Sequence, residues 1–164
     1  FLCKKLNIYN KIIYQEEKMG LPVTFYPAQL PNALAQILLN QFVTLEEVIT
    51  HQKEIAKYYH NNLNNQTIIK PEWDENSVWL RYPILIKNPR QLHLFVKKEG
   101  IILGNWYDAP IAPADVDLSA TGYQMGLCPH DEKLAPMSVN LPTDRQINLK
   151  DAERIVKLLN LYGN

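Results

Sequence analysis

From Pro31 to Leu63, apolar or large residues recur as Leu34, Leu38, Gln41, Leu45, Val48, Ile55 and Tyr59. The steps are threes, fours and a seven, which put all of them on one helical face. Pro31 suits the first turn of such a helix, where its missing donor is not needed. If unbroken the helix is about 50 Å long, more than one small core can cover, and it implies a neighbouring domain or subunit. Thr44-Leu45-Glu46-Glu47 also reads as a fresh helix start with acids in its first turn. A kinked pair of core helices is therefore the alternative.

Upstream, Leu2, Leu6, Tyr9 and Ile13 share a helical face over 1–19, stopped by Gly20 and Pro22. Residues 21–28 hold two prolines and read as an extended connector. Downstream the period changes to two. Val78, Leu80, Tyr82, Ile84 and Ile86 alternate with Trp79, Arg81, Pro83, Leu85 and Lys87, a strand that Pro83 pushes to an edge or a bulge. Pro89 opens a short helix that Gly100 closes, and Ile101–Tyr107 reads as a second strand. A long loop over 108–128 follows. Pro129, with Asp131 and Glu132, starts another short helix, and Met137–Leu141 is a third strand. Asn148 caps the last helix with Asp151 as its capping-box partner, and Leu149, Ile155, Leu158, Leu159 and Tyr162 supply much of its apolar face. The order predicts an α+β fold: a small antiparallel sheet, helices packed on one face, and a long N-terminal helix.

Composition narrows the classes. The 164 residues suit one domain, and 17 basic residues balance 17 acidic ones. That balance argues against a general nucleic-acid binder, which needs a basic surplus. No stretch approaches the ~20 apolar residues that span a bilayer. Two cysteines, Cys3 and Cys128, make no disulfide scaffold, and a cytoplasmic setting is expected. The chain starts at Phe1 rather than Met, which suggests a piece of a longer chain.

Candidate chemistry is sparse. His51 and His60 do not share a face as an i, i+4 metal pair would, and with His93 and His130 they read as surface histidines. Cys128-Pro129-His130-Asp131-Glu132 contains metal-ligand residue types, but its proline and acids also suit a plain helix start. Cys128 beside that start is a candidate for a lowered pKa, without an obvious His and acid to make it a nucleophile. The six glycines are scattered and form no phosphate loop. Gly104-Asn105-Trp106-Tyr107-Asp108-Ala109-Pro110 ends in two aromatics and an acid, a composition useful at ligand mouths or as a satellite core beneath the loop. Arg81 suits a carboxylate or phosphate, or a neighbouring acid.

Several segments, in order, carry a resemblance: LPNALAQILLNQF at 30–42, HQKEIAKYYHNNL at 51–63, WLRYPILI at 79–86, Gly100-Ile101, WYDAPIAP at 106–113, CPHDEKLAPMSVNLPT at 128–143 and INLKDAERIVKLLN at 147–160. Together they are similar to the C-terminal part of the DegT/DnrJ/StrS family of pyridoxal-phosphate-dependent sugar aminotransferases. The resemblance implies residues 1–28 as interdomain helix and connector and 29–164 as the small domain. It implies a missing N-terminal large domain that holds the cofactor and its Schiff-base lysine, a homodimer, and a nucleotide-linked keto sugar as substrate. No catalytic residue, no metal and no pyridoxal phosphate are then expected in this chain alone, which is expected to be inactive.

Gln29, Asn32, Trp106, Tyr107 and Asp108 are the residues the resemblance places at the substrate cleft or subunit contact. Two departures stand out. Tyr26-Pro27-Ala28-Gln29 replaces a stretch in which many members carry an Asn and an Arg, and Trp106 replaces the histidine of a His-Tyr-x-Pro pattern that Tyr107 fits. Gln29 still hydrogen-bonds but brings no positive charge. The competing readings are a non-catalytic binding or dimerisation module of the same shape and a degraded gene product with no independent role.

Overall fold

The computed structural model describes residues 13–24 and 28–163. Its elements are α1 (Gln15–Lys18), α2 (Asn32–Phe42), α3 (Leu45–Asn62), β1 (Ile68–Ile69), β2 (Arg81–Ile86), α4 (Pro89–Lys98), α5 (Pro129–Leu134), a 3-10 turn (Ala135–Met137), β3 (Ser138–Pro142) and α6 (Leu149–Leu161). The three strands form an antiparallel sheet in the order β1-β2-β3. The expected α+β architecture is therefore the observed one. Most of the helix read over 1–19 lies outside the described residues.

The long helix is two helices. Val43 is still helical, but Thr44 sits near φ −106°, ψ 9°, and α3 starts after it. Thr44 Oγ1 donates to the Gln41 carbonyl at 3.3 Å and accepts from Arg145 Nη1 at 3.2 Å, so side-chain bonding stabilises the break. The two halves differ in burial. In α3, Gln52, Ile55, Ala56 and Tyr59 are buried, whereas α2 buries nothing.

Strand β2 buries Tyr82, Ile84 and Ile86 and leaves Arg81, Pro83 and Leu85 only partly covered. The buried set joins Val139 and Leu141 of β3, Leu92 and Val96 of α4, Ile55 and Tyr59 of α3, and Ile155 and Leu159 of α6 in one cluster. Helices thus cover one face of the sheet. Tyr59 Oη donates to the Pro142 carbonyl at 2.9 Å, tying α3 to the end of β3.

Three strand expectations need correction. Strand β2 is central, not an edge, yet β1 reaches only Leu85 and Ile86, so Pro83 lies on a stretch of β2 that β1 does not reach. The alternation also fails before Arg81, where Trp79 is buried and Val78 and Leu80 are exposed. A tight turn explains this: Leu80 N–H donates to the Val78 carbonyl at 2.9 Å, resetting the phase. Buried Thr143 fixes that turn, its hydroxyl lying 2.7 Å from the Trp79 carbonyl and 2.8 Å from that of Leu80. Finally, Ile101–Tyr107 is not a strand. Its one backbone pairing with the sheet among the described residues is a bridge between Gly104 and Asn140.

The helix ends follow the sequence closely. Gly100, at φ +74°, ends α4. Gly100 N–H bonds the Lys97 carbonyl and Ile101 N–H the Val96 carbonyl, the paired bonds of a left-handed helix stop. Asn148 Oδ1 accepts from the amides of Lys150 and Asp151, while Asp151 accepts from the Asn148 amide.

Candidate functional site

The register of β2 and β3 builds the site. Arg81 pairs with Pro142, Pro83 with Asn140 and Leu85 with Ser138. Alternation turns these residues to the sheet face away from the helical core. The 104–110 segment and the long loop lie against that second face. Gly104 and Asn140 exchange two backbone hydrogen bonds, each of 2.9 Å. Asn140 Oδ1 also accepts from the Trp106 amide at 3.2 Å, and Asn140 itself is buried.

Trp106 lies beneath a cation. The Arg81 guanidinium carbon stands 4.6 Å from the centroid of its ring, within cation–π range. Gly104 makes room for this arrangement. A Cβ there would come within 2.8 Å of Trp106 Cδ1. Arg81 therefore sits over a ring, and among the described residues it forms no ion pair with an acid. Trp106 and Tyr107 are 54% and 57% exposed, so they do not form a satellite core.

The named residues part company beyond Trp106. Tyr107 lines a cavity of about 280 Å³ with Leu85, Pro110 and Leu134. Asp108 lines a different cavity of about 520 Å³ beside α4. Gln29 and Asn32 are exposed, Asn32 at the start of α2. Neither makes a side-chain hydrogen bond to Trp106, Tyr107 or Asp108. Tyr26 and Pro27 lie outside the described residues.

The loop that frames this face is pinned by Glu132. Its Oε1 accepts from Tyr123 Oη and from the Gly126 amide, each at 2.6 Å. The Tyr123 bond, then the Gly126 amide, hold the Glu132 carboxyl below its ordinary pKa. The same carboxylate pushes the Tyr123 phenol up to about 12. Glu132 thus ties two turns together as well as sitting in a helix start. The end of α1 joins the loop too: Lys18 Nζ meets Asp115 Oδ2 at 2.5 Å.

Histidines are less superficial than their spacing suggested. His60 Nδ1 is 2.9 Å from Tyr82 Oη, and His93 Nε2 is buried. Among the described residues no Ser, Thr or Cys side chain is hydrogen-bonded to a histidine, and no group of three or more His, Cys, Asp or Glu is gathered as a metal needs. Cys128 is an exposed free thiol. No helix of the described residues is long and apolar enough to cross a membrane. What the face offers is an aromatic surface, a cation and two cavities: groups that bind and orient. Sequence reasoning singled out Trp106, Tyr107 and Asp108 but missed Asn140, whose polar side chain inside an apolar strand was the available signal.

Residues 11–160 match the family model described as the DegT/DnrJ/EryC1/StrS aminotransferase family. No curated protein sequence matches the chain. Among solved structures, a DegT DnrJ EryC1 StrS aminotransferase from Brucella abortus is 22% identical with a TM-score of 0.63, covering 77% of this chain and 34% of its own. DesV from S. venezuelae, solved with a ketimine intermediate, is 18% identical with a TM-score of 0.65, covering 77% and 34%. The sugar aminotransferase CalS13 from Micromonospora echinospora is 15% identical with a TM-score of 0.62, covering 76% and 33%. The chain spans about a third of the length of these structures.

Proposed function

The chain belongs to the DegT/DnrJ/EryC1/StrS aminotransferase family, and on that premise we propose that it is the C-terminal small domain of an enzyme that aminates a nucleotide-linked keto sugar. In this reading residues 1–28 are the interdomain helix and connector, and 29–164 the small domain of a cytoplasmic homodimer. The family match along 11–160 carries the proposal.

Enzymes of this family are pyridoxal-phosphate-dependent in general. The cofactor supplies the electron sink for moving an amino group. The described residues do not fit a complete site for it. A Schiff-base lysine has to be enclosed, and every described lysine is partly or fully exposed. In this reading the reactive lysine lies on a large domain outside this chain. The small domain's part is to close the substrate cleft with Trp106, Tyr107 and Asp108. Gln29 and Asn32 then face the large domain or the second subunit.

Helix α2 supports a large neighbour. Leu34, Ile37, Leu38 and Phe42 are each at least 43% exposed, and a short helix that buries nothing is marginal on its own. The same exposed row is what a dimerisation module would use.

Two measurements test the proposal. The chain alone, titrated with pyridoxal phosphate, should give no lysine-dependent absorbance band and no turnover. The protein encoded together with its upstream reading frame should bind the cofactor and aminate a nucleotide-linked keto sugar with glutamate as donor. Turnover by the chain alone, or a full-length protein that binds no pyridoxal phosphate, overturns it.

A further inference from the structure

The geometry points to Arg81 and Asn140 as the pair that grips the diphosphate linker of the substrate, the guanidinium on one phosphoryl group and the side-chain amide on the next. The inference rests on the transferase reading, in which Trp106 closes the substrate cleft. Arg81 pairs with Pro142 and Pro83 with Asn140, so Arg81 and Asn140 are diagonal neighbours on the sheet face away from the core. Such a diagonal is about 7–8 Å, which a long side chain bridges. Both residues meet at Trp106. The Arg81 guanidinium lies over its ring, and the Asn140 side-chain oxygen accepts from its amide.

Asn140 is the informative residue. It is only 2% exposed. The Trp106 amide needs an acceptor, so Oδ1 faces it and the NH2 group turns away. Nδ2 makes no hydrogen bond to any described residue. It is not sealed either: among the described residues, the side-chain nitrogens and oxygens both unpartnered and closed to solvent are Trp73 Nε1, Trp79 Nε1 and His93 Nε2. A buried residue thus keeps an unused donor at an opening, where a group arriving from solvent meets it. Arg81 is equally uncommitted. It is partly covered, and among the described residues it makes no ion pair and no hydrogen bond. Resting on the indole uses the flat face of the guanidinium and leaves its N–H edge free.

The donors fit a diphosphate linker. Everything the pair offers is N–H, so the ligand group has to be an acceptor. The guanidinium fork matches two oxygens of one phosphoryl group, and the single charge of that group balances the arginine. The linker continues to a second phosphoryl group, which brings further acceptor oxygens to the neighbouring amide. A carboxylate matches the fork equally well but ends there, and it leaves the Asn140 donor unmet. Covering one face of the guanidinium with an indole strips water from it, which strengthens its hold on an anion.

Side-chain proton–nitrogen NMR of the purified chain tests this, with UDP-glucose, uridine and glutarate as the probes. UDP-glucose should shift the Arg81 Nε–H and Asn140 NH2 signals saturably. Uridine has no linker and glutarate only carboxylates, so each should bind at least tenfold more weakly. Arg81→Gln should weaken UDP-glucose at least tenfold, whereas Arg90→Gln on α4 should leave it unchanged. Asn140→Asp keeps an acceptor for the Trp106 amide and gives up the donor. With that amide still protected from exchange, it too should cost at least tenfold. Arg81 and Asn140 signals that UDP-glucose does not move overturn the pair, and so does unchanged binding by Arg81→Gln. Glutarate binding as tightly as UDP-glucose overturns the assignment to a diphosphate. Failure of the transferase reading shows elsewhere, as a full-length protein that binds no pyridoxal phosphate, and it leaves these shifts in place.

Discussion

Asn140 holds Trp106. Its side-chain oxygen accepts from the Trp106 amide at 3.2 Å while its backbone is bonded to Gly104, so one buried residue fixes a whole segment that is not itself a strand. Asn140→Ala removes the acceptor and leaves a backbone amide to find another. The loss should be about 1–3 kcal/mol in urea unfolding. Amide exchange at Trp106 should speed up much more than exchange in α3. Unchanged exchange at Trp106 would mean that the side-chain bond holds nothing.

Gly104 is the second control point, through sterics alone. Its backbone lies close enough to Trp106 that an added Cβ would meet Cδ1 at 2.8 Å and the Asn140 Cβ at 3.3 Å. Gly104→Ala should drive the indole off Arg81. The Trp106 indole N–H resonance should move, while those of Trp73 and Trp79, stacked on each other at 5.1 Å, should not. An unmoved Trp106 signal would show that the ring was not confined there.

The Glu132 latch should respond to acid. Its folded pKa lies below the ordinary 4.5, first because of the Tyr123 hydroxyl. A carboxyl with a depressed folded pKa stabilises above its unfolded pKa, and that contribution fades as pH falls through the folded value. Protection of the Gly126 amide should therefore exceed that of the Glu132→Gln variant at pH 6 and converge with it only once the pH has fallen through the depressed folded value. A gap that stays constant across this window would sink the latch.

Helix α2 should make the isolated chain associate. Leu38 of α2 and Leu45, just past the break at the start of α3, are 43% and 44% exposed, and exposed apolar patches mark contact surfaces. Sedimentation should show concentration-dependent oligomers, and Leu38→Asp should shift the equilibrium at least tenfold toward monomer. A wild-type monomer at high concentration would remove this face as a contact.

The sequence carried the regular parts of the fold because each had a local cause. Tyr82, Ile84 and Ile86 alternate, Pro89 and Gly100 bracket α4, and Asn148 with Asp151 marks α6. The rest depended on contacts between distant residues. Strand β1 has two residues, too few for any period to register. Residues 101–107 have strand composition, yet they pair only at Gly104, because Asn140 captures the chain by its side chain. Trp79 faces the core through a turn held by Thr143, which lies 64 residues away. At the site, the aromatic pair announced itself in the sequence. The division of Tyr107 and Asp108 between two cavities did not, since it depends on how the loop folds back over the sheet.

The break at Val43–Thr44 makes an elbow. Beyond it, α2 is a lever about 16 Å long that shares no buried residue with the body of the domain. Bending at Thr44 re-aims that lever without unseating Ile55, Tyr59 or the sheet beneath them. Misfit with whatever α2 rests on is absorbed at one joint, and the face that carries Arg81 and Trp106 keeps its shape.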